Sequence, residues 1–337
     1  MQKRILILAI ESSCDDTSVA ILENNEVLSN VVASQKIHEE FGGVVPELAS
    51  RAHQKNIIPT VDKALKNANV ELKDLSAIAF TKGPGLLGSL LVGVSFAKSL
   101  SLALGIPLIE VNHMEAHILA HLIENDDKKI EFPFICLTVS GGHTQLVKVN
   151  SPYEFDLLGQ TIDDAAGEAF DKISKIMGLP YPGGPLVDKY AQLGNSEAFS
   201  FSLPKVPEYN YSFSGLKTSV LYFLQKKMKQ DPLFIENNLN DLCASVQKAI
   251  LDVLFVKLEL LLKDSGIKQI AIAGGVSANS GLRKRLKLKE SEGFSVFVPD
   301  FQYCTDNAAM IGIAGYYKFL KKDFSTLSVV AEARLKM

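Results

Sequence analysis

The sequence predicts an α/β protein built from two duplicated lobes with a cleft between them, and two observations lead there. The first is an internal echo. Residues 5 to 22 read as an apolar strand, a polar turn (Glu11-Ser12-Ser13-Cys14-Asp15-Asp16-Thr17) and a second strand, Ser18 to Leu22. Residues 134 to 149 repeat the layout: strand Phe134 to Val139, turn Ser140-Gly141-Gly142-His143-Thr144, strand Gln145 to Val149. Two such units, each opening a mixed α/β half, point to duplication. The second observation is capacity. The chain has 337 residues, 47% of them hydrophobic, and no low-complexity linker, so two closely joined cores are expected.

The elements follow in order. Ile5 to Ile10 is an apolar run of six residues ahead of Glu11, too short for a secretory signal and long enough for a buried strand. A helical stretch runs from Val44 to Ala68. Strand Ala77 to Thr81 enters the glycine-rich turn Lys82-Gly83-Pro84-Gly85. Residues 85 to 106 are apolar apart from serines and Lys98, which has the length of a membrane span. A charge near the middle and glycines at 85, 88 and 93 suit a helix packed inside an α/β protein better, so no membrane association is expected. Strand Leu108 to Val111 delivers Asn112 and a histidine run. Later, Leu239 to Lys263 reads as a long amphipathic helix ending at Gly266. Strand Gln269 to Ala273 then feeds Gly274-Gly275-Val276-Ser277-Ala278-Asn279, a glycine turn with a helix after it.

Charge and cysteine usage narrow the class. The formal net charge is −3, so contact with nucleic acid needs a local basic patch or a partner. Lys217 to Lys229 and Arg283-Lys284-Arg285 through Lys289 are the candidates, with a solvated helix face as the ordinary alternative. Cys14, Cys136, Cys243 and Cys304 lack Cys-x-x-Cys spacing, which fits a reducing cytoplasm.

Half of the six histidines fall in nine residues, at 113, 117 and 121. A step of four on an α-helix returns to within about 40° of the same face, so the three imidazoles would line one stripe, a metal signal. A zinc-peptidase helix places its catalytic Glu directly after the first His. Here Glu115 is two residues on, about 200° around and pointing away. A metal pair is expected without a peptidase base. The two polar turns offer backbone N–H groups and hydroxyls suited to phosphate.

Several motifs taken together resemble the tRNA adenosine(37)-N(6) threonylcarbamoyltransferase family, a branch of the actin-like/Hsp70/sugar-kinase (ASKHA) superfamily. They are Ile10-Glu11-Ser12-Ser13-Cys14-Asp15-Asp16-Thr17, Gly42-Gly43-Val44-Val45-Pro46-Glu47, Thr81-Lys82-Gly83-Pro84-Gly85 and Val111-Asn112-His113-Met114-Glu115. Val139-Ser140-Gly141-Gly142-His143-Thr144-Gln145, Asp163 through Lys172, Gly274 through Asn279 and Cys304-Thr305-Asp306-Asn307 complete the set. The likeness covers roughly residues 5 to 320.

The resemblance implies an enzyme that moves a threonylcarbamoyl group from threonylcarbamoyl-adenylate to the exocyclic amine of adenosine 37, in tRNAs reading codons that begin with A. It implies one divalent metal ion, iron or zinc, held by His113, His117 and Asp306. Two imidazoles and a carboxylate leave open coordination positions for a substrate oxygen. Asp306 just before an apolar helix, Ala308 to Tyr316, is also expected as that helix's N-cap. Thr138 stands where archaeal relatives carry a metal-contacting tyrosine, so three protein ligands are expected, and His121 stays outside the set.

For the nucleotide, the resemblance implies Thr138, Val139, Ser140, Gly141 and Gly142 around the phosphate and Asp171 and Asp188 on the ribose. Gly183-Gly184-Pro185 would lie against the nucleoside and Asn279 at the base, and the resemblance adds an adenine nucleotide to the ligands expected. Asp15 and Asp16 would position acceptor or donor. The segment Ser34 to His53 is dense in polar groups with no role assigned. The expected lobes are 1–130 plus 305–337, carrying the metal helix, and 131–304, carrying the nucleotide. Expected partners are tRNA, a paralogous actin-like subunit and a small P-loop ATPase. A metallopeptidase, a small-molecule kinase and a non-catalytic scaffold are the alternatives. The histidine pair has no task in the last two.

Overall fold

The computed structural model describes residues 4–35, 37–124 and 129–337. The chain divides into two compact units: residues 1–130, 151–155 and 299–337 form the first, and 131–150 and 156–298 the second.

In the first unit, β1 (Leu6–Glu11), β2 (Thr17–Glu23), β3 (Glu26–Ala33), β4 (Ala77–Gly83) and β5 (Leu108–Asn112) form one sheet in the order β3-β2-β1-β4-β5. β1 is apolar up to its last residue, Glu11, and buried along its whole length because both faces of the sheet are covered. Alternate residues take opposite sides. Leu6, Leu8 and Ile10 join Ile57, Val61 and Val94 from the helices Pro46–Ala68 and Leu87–Leu104. Ile7 and Ala9 face Met310, Ile311 and Ala314 of the helix Ala308–Leu320. That last helix lies close on the sheet: a Cβ at Gly315 would come within 2.5 Å of the Ala79 Cβ.

The helix Leu87–Leu104 has the length and hydropathy of a membrane span. Its buried face is Ser89, Leu90, Gly93, Val94, Ala97 and Ser101, the three-to-four spacing of a helix seated on a sheet. A Cβ at Gly93 would meet the Ser12 Oγ at 2.2 Å, so glycine lets the helix reach the β1–β2 turn.

The second unit repeats the topology. β6 (Phe134–Val139), β7 (Thr144–Ser151), β8 (Glu154–Gln160), β9 (Gln269–Ala273) and β10 (Ser295–Phe297) run in the order β10-β9-β6-β7-β8. β6 is antiparallel to β7 and parallel to β9, as β1 is antiparallel to β2 and parallel to β4. The sequence echo is therefore a duplicated sheet. Its core draws on the helices Ala166–Ile176, Ser214–Met228 and Leu239–Ser265, with Phe170, Phe213 and Phe255 fully buried.

Candidate metal centre and nucleotide-binding turns

β5 ends on Asn112, whose side-chain Oδ1 accepts from the Met114 N–H at 2.8 Å and the Glu115 N–H at 3.3 Å, starting the helix His113–Leu119. This is N-capping by a residue type suited to it. The helix spans seven residues, so it presents two of the three histidines on one face. His121 lies on a following 3-10 turn, Ala120–Leu122, and the expected stripe of three stops at two because the α-helical repeat ends first.

His113 and His117 are both buried, with ring centroids 4.7 Å apart and nearly perpendicular planes. Their Nε2 atoms converge on the Asp306 Oδ1, at 3.4 Å from His113 and 3.2 Å from His117. Candidate ligand atoms of the three residues all lie within 4.8 Å of one another. Ligands about 2.1 Å from a shared tetrahedral ion stand about 3.4 Å apart, so these spacings fit a cation of zinc or iron size. Asp306 is free for this task because it is not the N-cap of the helix Ala308–Leu320. Asn307 takes that place, accepting from the Met310 N–H at 3.1 Å, which corrects the expectation from sequence.

One partner of the centre was missed by pattern reading. Glu11, fully buried at the end of β1, places its Oε2 3.0 Å from the His113 Nδ1. Its carboxylate also accepts from the Thr81 hydroxyl and the Ser13 N–H. The signal was a carboxylate ending an otherwise wholly apolar strand. A carboxylate on the Nδ1–H turns the ring so that Nε2 faces Asp306, the arrangement that orients metal-bound histidines. Burial opposes a charge on His113, but Glu11 and Asp306 outweigh it and hold its pKa well above the usual value. Burial also opposes ionisation of Glu11 and Asp306, and His113 outweighs it, so both carboxyls titrate below their usual range. For His117, burial dominates and the ring stays neutral. Without a cation the positive charge between the two carboxylates sits on His113; a divalent cation would displace that proton and balance two carboxylates facing two neutral imidazoles.

Glu115 is half-buried, with burial raising its pKa and Lys318 as the opposing charge. Two residues after His113 on the same helix, it projects about 200° around from it. Asp15 and Asp16 sit in the β1–β2 turn, half-buried. Burial first, then the charges of Asp15, Asp306 and Glu11, push Asp16 up to about 6. In the Ser34–His53 segment, His53 is buried between the Thr17 hydroxyl (2.8 Å) and the Cys14 carbonyl (3.0 Å). His38 bonds to Gln35 and to the Val45 N–H. Both hold the segment to the turn and the helix start.

In the second unit, Thr138 and Val139 belong to β6, paired with Gln145 and Thr144 and fully buried. Their side chains are therefore inside the sheet, and the solvent-facing part of the predicted phosphate loop is Ser140, Gly141 and Gly142. Ser140 donates its N–H to the His143 carbonyl and accepts from the His143 N–H at its Oγ, closing the turn. A Cβ at Gly141 or Gly142 would meet nothing within 4 Å.

The other nucleotide candidates each carry an internal bond. The Asp171 Oδ1 accepts from the Gly183 and Gly184 N–H groups, at 2.8 and 3.1 Å, and so fastens the start of the helix Gly183–Ala191. Burial raises its pKa against those bonds. Asp188 accepts from the Ser280 N–H and hydroxyl. Asn279 caps the helix Ser280–Ser291 and donates to the Gln247 Oε1. A carboxylate has about four lone-pair positions, so both aspartates keep capacity for further donors.

The two basic stretches are partly neutralised. Arg285 pairs with Asp252, Lys289 with Glu259 and Glu292, and Lys217 with Asp164.

The family model for tRNA N6-adenosine threonylcarbamoyltransferase (TsaD) matches residues 26–313. Curated proteins of that name are similar over almost the whole chain. The Christiangramia forsetii protein is 63% identical, covering 99% of both chains, and the Porphyromonas gingivalis protein 57%, again with 99% of each. The Clostridioides difficile protein is 49% identical over 99% of this chain and 98% of its own. Among solved structures, full-length HypF in its phosphate- and nucleotide-bound form superposes with a TM-score of 0.63 at 15% identity, covering 95% of this chain and 47% of that one. HypF of T. kodakarensis gives 0.60 at 14% identity, covering 98% and 49%. At such identities these likenesses speak to fold, and the fold is that of the actin-like/Hsp70/sugar-kinase superfamily. With a family model covering most of its length and relatives near 60% identity, the chain belongs to the tRNA N6-adenosine threonylcarbamoyltransferase family.

Proposed function

We propose that this chain transfers the threonylcarbamoyl group of threonylcarbamoyl-adenylate to the N6 amine of adenosine 37, in tRNAs reading codons that begin with A. The observation that carries the reading is the convergence of His113, His117 and Asp306, in a chain 63% identical end to end to a protein named for this transfer. The cation is iron or zinc, held by those three residues, and when bound it supplies Lewis-acid polarisation of a carbonyl or carboxylate.

The chain's own residues do the rest. Glu11 fixes the tautomer and ring plane of His113. Ser140, Gly141 and Gly142 present hydroxyl and backbone N–H groups to the adenylate phosphate. Asp171 and Asp188 accept from ribose hydroxyls, and Gly184 and Asn279 border the nucleoside. The N6 nitrogen attacks the carbamoyl carbon, its bond to the phosphate oxygen breaks, and AMP leaves as the amine loses a proton. Asp15 and Asp16 hold acceptor or donor in line for that step. The proposed metal residues lie in the unit of residues 1–130, 151–155 and 299–337, and the proposed nucleotide residues in that of 131–150 and 156–298, in place of the expected break at 304/305. A paralogous actin-like subunit and a small P-loop ATPase are the proposed partners, an adenine nucleotide the proposed second ligand and the cytoplasm the compartment, in keeping with cysteines that lack Cys-x-x-Cys spacing.

The test is reconstitution: purified protein, its partners, threonylcarbamoyl-adenylate and unmodified tRNA, with the nucleoside product read by mass spectrometry. His113→Ala and His117→Ala should each abolish product. Wild-type rates in both would refute the metal assignment. A peptidase reading lacks the base placed directly after the first His, since Glu115 is two residues on and about 200° around the helix.

A further inference from the structure

Beyond the helix Ala308–Leu320 the chain runs through turns without a further helix along the first unit, and its anchors form a series. The Ser325 N–H donates to the Leu108 carbonyl at 2.8 Å, and the Glu110 N–H to the Ser325 Oγ at 3.0 Å. The Lys98 ammonium holds the Val329 carbonyl at 3.0 Å. The Glu332 N–H reaches the Lys82 carbonyl at 2.9 Å, and the Gly85 N–H the Ala333 carbonyl at 3.2 Å. The approach at Glu332 is so close that a Cβ on Gly83 would lie 1.9 Å from its carbonyl oxygen. The last anchor is Asn112, whose Nδ2 donates to the Lys336 carbonyl at 3.0 Å.

Asn112 is therefore bonded at both ends of its amide. Its oxygen starts the histidine helix, and its nitrogen is held by the segment 325–336. The reverse amide orientation would set an NH2 group against two backbone N–H groups, so the network fixes which way it points. Helices this short have almost no stability of their own; cap and packing set their geometry. His113 is the first residue of that helix.

We propose that residues 325–336 act as a strap that, through Asn112, sets the affinity of the His113–His117–Asp306 centre for its cation. Asn112 is a positioning residue, not a ligand. This rests on the reading of those three residues as a metal centre. Linkage is reciprocal: what holds the metal helix for the cation is in turn held by the bound cation.

The experiment uses the full chain and Zn2+ as probe. Asn112→Ser keeps a capping oxygen but cannot span to the Lys336 carbonyl. Lys98→Met releases the strap at Val329 without touching the helix. Both should bind Zn2+ about 10-fold more weakly in a chelator competition, the scale of outer-shell changes at metal sites. In the wild type, Zn2+ should slow hydrogen exchange at the Glu332 and Gly85 amides. Wild-type Zn2+ affinity in Lys98→Met, with those amides exchanging freely, would overturn the strap. His113→Ala separates the two failures: if it binds Zn2+ as tightly as the wild type, the metal reading itself is wrong.

Discussion

Glu11 and Asp16 flank the same turn, and burial opposes the charge on both, with opposite net results. Glu11 has His113 to offset its desolvation and stays ionised. Asp16 has no cation among the groups that move it, only carboxylates and the hydroxyl-bearing Ser34. Its carboxyl titrates near 6 in the folded protein against 3.8 unfolded. A raised folded pKa contributes stability that is fully present below pH 3.8 and is lost as pH rises through about 6. Above that, ionised Asp16 is a cost. Asp16→Asn, measured in chelator, should therefore raise stability by about 1 kcal/mol at pH 8, after discounting a shift of this size for partial exposure. The gain should vanish near pH 4. A pH-independent difference between the two proteins would contradict the assignment.

At the level of elements, glycines separate packing from ligand approach. Gly315 lets the helix Ala308–Leu320 rest on β4, and Gly315→Ala would force its Cβ against Ala79. Overpacking of that kind costs about 1–3 kcal/mol, visible as a lower urea midpoint. Gly141 has open space where its Cβ would be. Gly141→Ala should leave the midpoint unchanged yet weaken binding of an adenosine monophosphate probe about 10-fold, by blocking backbone approach to phosphate. Equal nucleotide affinity would remove the turn from the site. Periodicity made these elements readable: the apolar strands, the glycine ends and the long helix Leu239–Ser265 lie within a residue or two of where the pattern puts them. The histidine helix was the exception. Its pattern continues to His121, but the chain tightens into a 3-10 turn after Leu119, and spacing alone carries no sign of where hydrogen bonding changes.

Over the whole molecule, a cation at the metal centre should stabilise the fold by mass action. At a Zn2+ concentration 100 times its Kd the gain is about 2.7 kcal/mol, read as a raised thermal midpoint. His117→Ala should lose that increment. A midpoint equally Zn2+-sensitive in both proteins would place the cation elsewhere.

The duplicated sheet, the exclusion of a peptidase base and the pairing of His113 with His117 were all legible along the chain, because each depends on neighbours a few residues apart and on fixed helical or strand periods. Three features were not. Asn307 rather than Asp306 as cap (leaving Asp306 against His117), Glu11 behind His113, and the hold of Lys336 on Asn112 join residues 189, 102 and 224 positions apart. Local propensity treats Asp and Asn before a helix as equivalent caps, and a lone Glu after an apolar strand as its polar end. Which of them faces a buried imidazole depends on how sheet and helix pack, where an uncompensated charge is costly enough to select one partner.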